Sequence, residues 1–349
     1  LIPIAIPVLF VLAQLWIMWA NRKKINAYYS KTQGKYEALL KYKGLLESIE
    51  GENFISKKLV VLKNNVIKSK SHKAAGKSIN KLAKMVNAFD WRLNMLYGLI
   101  INPLLMWDLQ CIIRLEKWKS IFKDEMRKWF VSIREIDALI SLGTYYFNNP
   151  EFTLPKISSK DFIVKARKLG HPLVNENNRI CNDLKIDGLG KFMLITGSNM
   201  AGKSTFIRTA GINLVLAMSG APVCSNYFEF YPMKIYTSMR VNDSLNNEES
   251  SFYAELKRLK QILDVLNKEG EIIVLLDEIL KGTNSKDKHT GSEALIKQLI
   301  RSKCMGIIAT HDLELGSLEG QYPENITNYC FEVLIKDEKF TYDYKLKDG

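Results

Sequence analysis

Cysteine is scarce in this sequence, and the patterns that would give cysteines a structural role are missing. The 349 residues include five cysteines, none of them in a Cys-x-x-Cys pair. This argues against a disulfide framework or a zinc site and fits a reducing compartment. No internal repeat or low-complexity run occurs. With 47% hydrophobic and 25% charged residues, the composition excludes a disordered or collagen-like chain. The length allows two or three domains.

Acidic residues are sparse in the first part of the chain, which therefore carries the whole charge excess. The formal net charge is +13, and residues 1–150 hold 24 basic and 11 acidic side chains, whereas residues 151–349 hold 26 of each. Residues 21–84 alone hold 16 basic and 4 acidic side chains. This excess indicates a polyanionic partner, either nucleic acid or anionic lipid. A third interpretation is that the lysines only keep a helix soluble.

Charge is absent from residues 1–20, which contain one polar residue, a glutamine. Their length is about that of a membrane-spanning helix. Trp16 and Trp19 lie near its end and residues 22–24 are basic, the pattern that places the following chain in the cytoplasm. We therefore expect a transmembrane helix over residues 1–21, with the remaining chain at the cytoplasmic face of an inner membrane. A buried core helix and a signal peptide are the alternatives, but a signal peptide carries its charges before the apolar run.

Residues 22–150 are predicted to form an all-helical region. Residues 114–142 repeat apolar positions every three to four residues, which predicts a helix with one buried face. The residues on that face are Trp118, Ile121, Phe122, Trp129 and Ile133. The apolar stretch Leu93–Ile113 contains polar residues that are costly in lipid, so we expect a buried helix there, with a second span as the alternative. The Asn-Asn-Pro turn at 148–150 marks the boundary to an α/β region.

Residues 191–218 have the strand, loop and helix pattern of a phosphate-binding loop. A buried-strand pattern over 191–196 leads into Gly-x4-Gly-Lys-Ser and then into a helical stretch. The glycines let backbone N–H groups surround the phosphates, and the helix N-terminus adds its dipole. We expect Lys203 to reach the β- and γ-phosphates of ATP and Ser204 to ligate Mg²⁺. The predicted nucleotide-binding loop is Gly197, Ser198, Asn199, Met200, Ala201, Gly202, Lys203, Ser204 and Thr205.

Two further strand patterns end in polar residues that would complete a site for ATP hydrolysis. An apolar run ends in Asp277 and Glu278, which is typical of a Walker B strand. Asp277 would hold Mg²⁺ through water, and Glu278 would activate the attacking water. A third strand pattern ends in His311, where ABC-type ATPases have a sensor of the γ-phosphate. Taken alone, each pattern also fits a buried strand with a polar end.

Together, these stretches resemble the ATPase domain of MutS-type proteins. The resemblance rests on GSNMAGKST (197–205), SSFYAEL (250–256), LLDEILKGTNSKD (275–287), ATHDLEL (309–315) and the lead-in residues 170–173 and 182–183. It covers residues 160–335 densely, and residues 35–150 look like a shortened form of the family's helical core with its lever helices. The resemblance implies an α/β P-loop ABC-type ATPase domain over 151–349, preceded by an all-α core domain over 22–150.

The resemblance also implies a homodimer with composite ATP sites. In the family, the signature serine of one subunit completes the site of the other, and the matching residue here is Ser250. Asp287 matches the loop that crosses the dimer interface. Residues 179–182 match the segment beside the adenine, which makes Arg179 and Asn182 candidate base contacts. Arg179 stands where the family often has an aromatic residue.

Some residues depart from the family pattern. Glu248 and Glu249 precede Ser250, and two carboxylates there would repel the phosphates of a partner unless they point away. Leu280 and Lys281 replace a Gly-Arg pair. The roughly 150 residues before the ATPase domain are too few for the family's mismatch-reading domain, so direct mismatch reading has no support. Because the chain starts with Leu and stops soon after a β-rich tail, we expect truncation at both ends.

Two functions follow from these observations. The first is Mg²⁺-dependent ATP binding and hydrolysis coupled to DNA binding, with phosphate contacts from the basic helical region. The alternative is a membrane-associated ATP switch whose basic stretch binds anionic lipid or protein partners. An ABC transporter is disfavoured because no LSGGQ-like signature occurs. An SMC-type protein is disfavoured because only 74 positions separate Lys203 from Asp277, too few for long heptads.

Overall fold

The structure is a computed structural model that describes residues 5–67, 74–198, 201–239, 251–268, 271–280, 284–336 and 339–349. The chain divides into two compact units, Leu1–Ser141 and Leu142–Gly349. In the described residues, the first unit is all-helical and the second is a mixed α/β unit. The predicted succession of a helical region and an α/β region is therefore confirmed.

The helical unit is built from six α-helices in the described part of the chain. They are α1 (Ala5–Thr32), α2 (Tyr36–Gly51), α3 (Lys57–Ile67), α4 (Ala75–Asp90), the short α5 (Asn102–Leu105) and α6 (Trp107–Asn148), which continues into the second unit. The apolar face predicted for residues 114–142 packs against α2, α3 and α4, since Trp118, Phe122 and Trp129 are buried in one cluster with residues of these helices. Ile121 was expected on that face but is 50% exposed.

The prediction of a membrane-spanning helix over residues 1–21, and with it the placement at a membrane face, is wrong. None of the described helices is long and apolar enough to cross a membrane. In α1 the charged residues 22–24 continue the same helix without a break. Gln14 is buried and donates a hydrogen bond to the carbonyl oxygen of Leu104, so α1 contacts α5 at this position.

The stretch Leu93–Ile113 is not the single buried helix that its apolar composition predicts. It contains a π-helical turn (Tyr97–Ile101), the short α5 and the start of α6. Met106 has a φ of 50°, which ends α5 in the left-handed region. Leu93 and Met95 are both more than three-quarters exposed. Pro103 and the left-handed residue interrupt the regular hydrogen bonding, so the apolar residues cannot share one continuous face.

The described residues of the α/β unit form two sheets. Its elements are β1 (Lys156–Ile157), β2 (Ile163–Leu169), β3 (Asn182–Asp187), β4 (Phe192–Gly197), α7 (Lys203–Met218), β5 (Tyr227–Phe230), β6 (Lys234–Ser238), α8 (Ser251–Lys268), β7 (Ile272–Asp277), α9 (Ser285–Arg301), β8 (Cys304–Ala309), α10 (Leu318–Gln321), β9 (Ile326–Lys336) and β10 (Lys339–Asp348). Strands β1-β5-β2-β3 form a small sheet, and β10-β9-β4-β8-β7-β6 form the central sheet. Neighbours in the central sheet are parallel except β9 and β10.

The middle strands of the central sheet are covered on both faces, as expected for parallel strands that read as continuous apolar runs. Every residue of β7 and β8 is buried. One face packs against α7 and the small sheet, and the other packs against α8 and α9. Because β4, β8 and β7 are parallel neighbours, their carboxyl ends meet at one edge, which is where open α/β sheets bind ligands.

Candidate functional site

The polar residues predicted for ATP hydrolysis follow three adjacent strands. In the sheet register, Ala309 of β8 pairs with Ile195 of β4 and with Asp277 of β7. The segments that leave these strands therefore start from the same edge. There the structure brings together Lys203, Glu278 and His311, which are far apart in the sequence.

The loop between β4 and α7 depends on two glycines. Gly197 and Gly202 have φ values of 136° and 115°, which side chains rarely tolerate. A Cβ atom added at Gly197 would lie 2.6 Å from the carbonyl oxygen of Phe331. Of the other predicted loop residues, Ala201 is buried, Thr205 is exposed, and Ser204 lies in the first turn of α7. Asn199 and Met200 lie outside the described residues.

Lys203 starts α7 and its side chain turns back into the loop. It is only 4% exposed, and its Nζ donates hydrogen bonds to the carbonyl oxygens of Gly197 (2.6 Å) and Ser198 (2.7 Å). The same Nζ lies 3.1 Å from Nδ1 of His311. The ammonium group is thus held inside the loop, where it can reach an anion bound by the loop.

His311 connects Lys203 to Glu278. Its Nε2 contacts Oε1 of Glu278, and its Nδ1 faces Lys203. Nδ1 also lies 3.1 Å from the carbonyl oxygen of Gly197. With the ring proton on Nε2, Nε2–H donates to the carboxylate and Nδ1 accepts from the ammonium, whereas a proton on Nδ1 would be donated to that carbonyl oxygen. Glu278 is 6% exposed and has a φ of 54°. Its backbone N–H donates to the carbonyl oxygen of Ala309 (2.9 Å), which fixes this unusual backbone at the end of β8.

Asp277 offers a donor for a cation at the same edge. It is 8% exposed, and its Oδ1 has no hydrogen-bond partner among the described residues. A buried carboxylate oxygen normally has a partner, and Mg²⁺ prefers oxygen ligands of this kind. This orphaned oxygen, together with the hydroxyl of Ser204 as a second candidate ligand, fits a divalent cation.

The remaining predicted residues are engaged elsewhere in the described structure or lie outside it. Asp287 is exposed in the first turn of α9, where it exchanges two hydrogen bonds with the cap residue Asn284. The guanidinium of Arg179 lies over the ring of Phe152 (5.2 Å). The side chain of Asn182 bonds to the backbone of β10. Ser250 lies outside the described residues, so its predicted role in trans stays a prediction.

Two residues at the site were not predicted from the sequence. Tyr344 of β10 lies beside the loop, since a Cβ atom at Gly202 would be 3.1 Å from its Cδ1. It stacks on Tyr342 at 5.9 Å between ring centroids. Glu255 of α8 accepts a hydrogen bond from the backbone N–H of Leu280 (2.6 Å). The Ser-x-Phe-x-x-Glu motif contains Glu255 and was the available signal, but nothing in the sequence marks Tyr344.

A second histidine, His289, contacts the segment that carries His311. Nδ1 of His289, in α9, is 2.7 Å from Oδ2 of Asp312. This hydrogen bond raises the pKa of His289 above its ordinary value, because the carboxylate favours the protonated ring. Oδ1 of Asp312 accepts from the N–H of Glu314. Asp312 therefore connects α9 to the turn that follows His311.

Comparison with known proteins agrees with the family resemblance over the α/β unit. Residues 193–349 match the family profile of MutS domain V. The chain is 31% identical over 252 residues to the DNA mismatch repair protein MutS of Carboxydothermus hydrogenoformans, covering 70% of this chain and 29% of that protein. It is 32% identical over 221 residues to the MutS of Thermotoga maritima, covering 62% and 27%. Human MutS protein homolog 4 is 31% identical over 189 residues, covering 51% and 20%.

Proposed function

We propose that this chain is a MutS-like ATPase of the P-loop ABC type, which binds and hydrolyses ATP with Mg²⁺. The observation that carries the proposal is the contact series Lys203–His311–Glu278 at the carboxyl edge of the central sheet. The match to MutS domain V supports it, because that match covers the strands and loops that supply these residues. The chain spans less than a third of the length of each of the three relatives, so the activity is assigned to this chain as a proposal.

The proposed chemistry divides among five side chains. Lys203 contacts the β- and γ-phosphates, exchanging its bonds to the carbonyl oxygens of Gly197 and Ser198 for bonds to phosphate oxygens. Glu278 accepts a proton from the attacking water, and His311 holds the Glu278 carboxylate in place while it faces the γ-phosphate. Ser204 and Asp277 would hold Mg²⁺, which supplies neutralisation of charge on the phosphates.

The base of the nucleotide has a candidate contact that differs from the one expected. The guanidinium of Arg179 already covers Phe152, whereas Tyr344 is 43% exposed and lies beside Gly202 at the start of α7. An exposed aromatic ring next to a phosphate loop can stack on adenine. We assign the stacking role to Tyr344 rather than to Arg179.

The proposal includes a homodimer and DNA as partner. The bacterial relatives are mismatch repair proteins by name, and the basic excess of residues 21–84 fits contacts to DNA phosphates. Ser250 and Asp287 are proposed to act across the dimer interface. The alternative of a lipid-bound switch is not favoured, because it depended on the membrane helix that the structure does not contain in its described residues.

The test is ATP turnover of the full chain with and without DNA, measured with Mg²⁺ and with EDTA. Matched, mismatched and branched duplexes are compared at two salt concentrations. We expect Mg²⁺-dependent turnover that at least one DNA form changes, with an effect that weakens as salt rises. Turnover that no DNA form alters would remove DNA from the proposal while leaving the ATPase intact. Absence of turnover under all conditions would contradict the ATPase itself.

A further inference from the structure

A groove in the helical unit combines cationic and apolar side chains, and the ATPase proposal does not use it. Its volume is about 500 Å³ and it runs between α4 and α6. On α4 it is lined by Lys81, Lys84, Met85 and Ala88, which are spaced as one helix face. On α6 the lining residues are Arg114, Lys117, Trp118, Ile121 and Phe122. None of these described lining residues is acidic.

The groove is preformed because two indole rings fix α6 against α4. Nε1 of Trp118 donates to the carbonyl oxygen of Ser78 (3.0 Å), and Nε1 of Trp107 donates to that of Ala88 (2.9 Å). The two bonds join the helices near opposite ends of α4, at Ser78 and at Ala88. A ligand that enters the groove therefore does not have to order the two helices, which reduces the entropic cost of binding.

The distribution of side chains across the groove selects the kind of ligand. The four cationic residues are exposed, while Trp118 and Phe122 form a buried floor (5% and 6% exposed). The apolar surface open to a ligand is that of Ile121, which is 50% exposed, and of Met85 and Ala88, which are partly exposed. A ligand that matches this surface presents an apolar stripe with acidic groups beside it. An amphipathic helix places apolar and acidic residues in this way, at positions three and four apart.

Nucleic acid matches the groove less well. A phosphate backbone would satisfy the cations but would lie against the apolar floor without burying apolar surface of its own. Stacking of bases needs open aromatic faces, and the aromatic rings here are almost fully covered. We propose that the groove between α4 and α6 binds an acidic amphipathic helix of a partner protein. This inference does not depend on ATP hydrolysis.

The test uses three fluorescein-labelled synthetic helices of about five turns, or roughly 18 residues. The first has a leucine stripe flanked by glutamates, the second has the same stripe flanked by lysines, and the third keeps the glutamates but has glutamine in place of leucine. Binding to the full chain is measured by fluorescence anisotropy. We expect the first peptide to bind at least tenfold more tightly than the other two.

Variants connect this binding to the groove. The double variant Lys84→Glu/Lys117→Glu should bind the acidic peptide at least tenfold more weakly and the lysine-flanked peptide more tightly. The gain in affinity for the second peptide would show that the altered protein is still folded. Ile121→Asn should weaken the binding of both peptides that carry the leucine stripe. The matched control Lys123→Glu/Lys128→Glu changes the same net charge on exposed positions of α6 outside the groove and should leave binding nearly unchanged.

Three results would overturn the proposal. The first is that the acidic peptide binds equally well to wild type and to Lys84→Glu/Lys117→Glu. The second is that the Lys123→Glu/Lys128→Glu control loses as much affinity for this peptide as the groove variant does. Either result would mean that the attraction is not specific to the groove. The third comes from a labelled single-stranded oligonucleotide measured in parallel. If that oligonucleotide binds in a way that requires Lys84 and Lys117 while the acidic peptide does not bind, the groove is a nucleic-acid site instead.

Discussion

At the level of residues, the segment after β7 has an unusual backbone conformation that a hydrogen bond to Glu255 stabilises. Glu278 and Leu280 both have positive φ values, 54° and 58°, which cost free energy in residues other than glycine. The hydrogen bond from the N–H of Leu280 to Glu255 offsets part of this cost. Glu255 thereby connects α8, which begins just after Ser250, to the segment that carries the proposed catalytic base.

We predict that Glu255→Ala lowers ATP turnover about tenfold, because without this hydrogen bond the segment after β7 no longer holds Glu278 in its position. The dissociation constant for ATP should change little, since Glu255 does not lie in the phosphate loop. Glu255→Gln keeps an acceptor oxygen and should stay near wild type. Steady-state turnover and equilibrium ATP binding check both variants. Unchanged turnover in Glu255→Ala would show that this contact does not position Glu278.

The pair His289–Asp312 makes stability depend on pH. The pKa of His289 is raised above its ordinary value of 6.5 by the hydrogen bond to Asp312, so protonated His289 stabilises the folded state. This contribution is fully present below the ordinary pKa and is lost as the pH rises through the raised pKa of the folded state.

We predict that His289→Gln loses stability relative to wild type at about pH 5.5 and much less at about pH 8.5. Urea unfolding at both pH values gives the two differences in the free energy of unfolding. Glu293→Gln removes a carboxylate whose attraction for the protonated His289 ring is weaker than that of Asp312, and it serves as the control with a smaller effect. A difference for His289→Gln that is the same at both pH values would contradict the assigned pair.

At the level of elements, the close contact between β7 and β8 sets the distance between Glu278 and His311. A Cβ atom at Gly306 of β8 would lie 2.0 Å from the carbonyl oxygen of Val274 in β7. We predict that Gly306→Ala lowers the free energy of unfolding by about 1–3 kcal/mol through overpacking. It should also lower ATP turnover, because the two strand ends are forced apart.

In the control variant for this prediction, the free energy of unfolding should rise instead of fall. Gly143 lies within α6, where an added Cβ atom meets nothing within 4 Å. Gly143→Ala should therefore raise the free energy of unfolding by about 0.5–1 kcal/mol. Chemical denaturation of both variants provides the comparison. Similar effects of the two substitutions would indicate that the packing between β7 and β8 is not the cause.

The elements also show what could be predicted from sequence. Strands β4, β7 and β8 and helix α7 lie where the apolar runs and the glycine motif predicted them, because these patterns are local. The contacts of Glu255 with Leu280 and of Tyr344 with Gly202 join segments that are distant in the chain, so local pattern could not reveal them. The prediction of a membrane-spanning helix over residues 1–21 was wrong for a related reason. Apolar composition does not distinguish a span from a helix that packs against Leu104 through Gln14.

At the level of the whole molecule, the proposed dimer makes a prediction that a monomeric site does not make. If Ser250 completes the site of its partner, one subunit with Ser250→Ala and one with Glu278→Gln form one intact site and one doubly altered site. Mixing the two impaired variants should then restore turnover to about a quarter of wild type, since half of randomly mixed dimers are heterodimers with one intact site of two. No gain in turnover, with subunit exchange verified by labelled subunits, would mean that Ser250 does not act in trans.

Glu278 is the proposed base of an ATP hydrolysis site that it forms with Lys203 and His311. The most direct test is Glu278→Gln, measured for ATP binding and for Mg²⁺-dependent turnover in parallel with wild type. We expect ATP affinity close to that of wild type and turnover reduced by about a hundredfold or more, the usual contribution of a positioned general base. Turnover near that of wild type would contradict this role of Glu278.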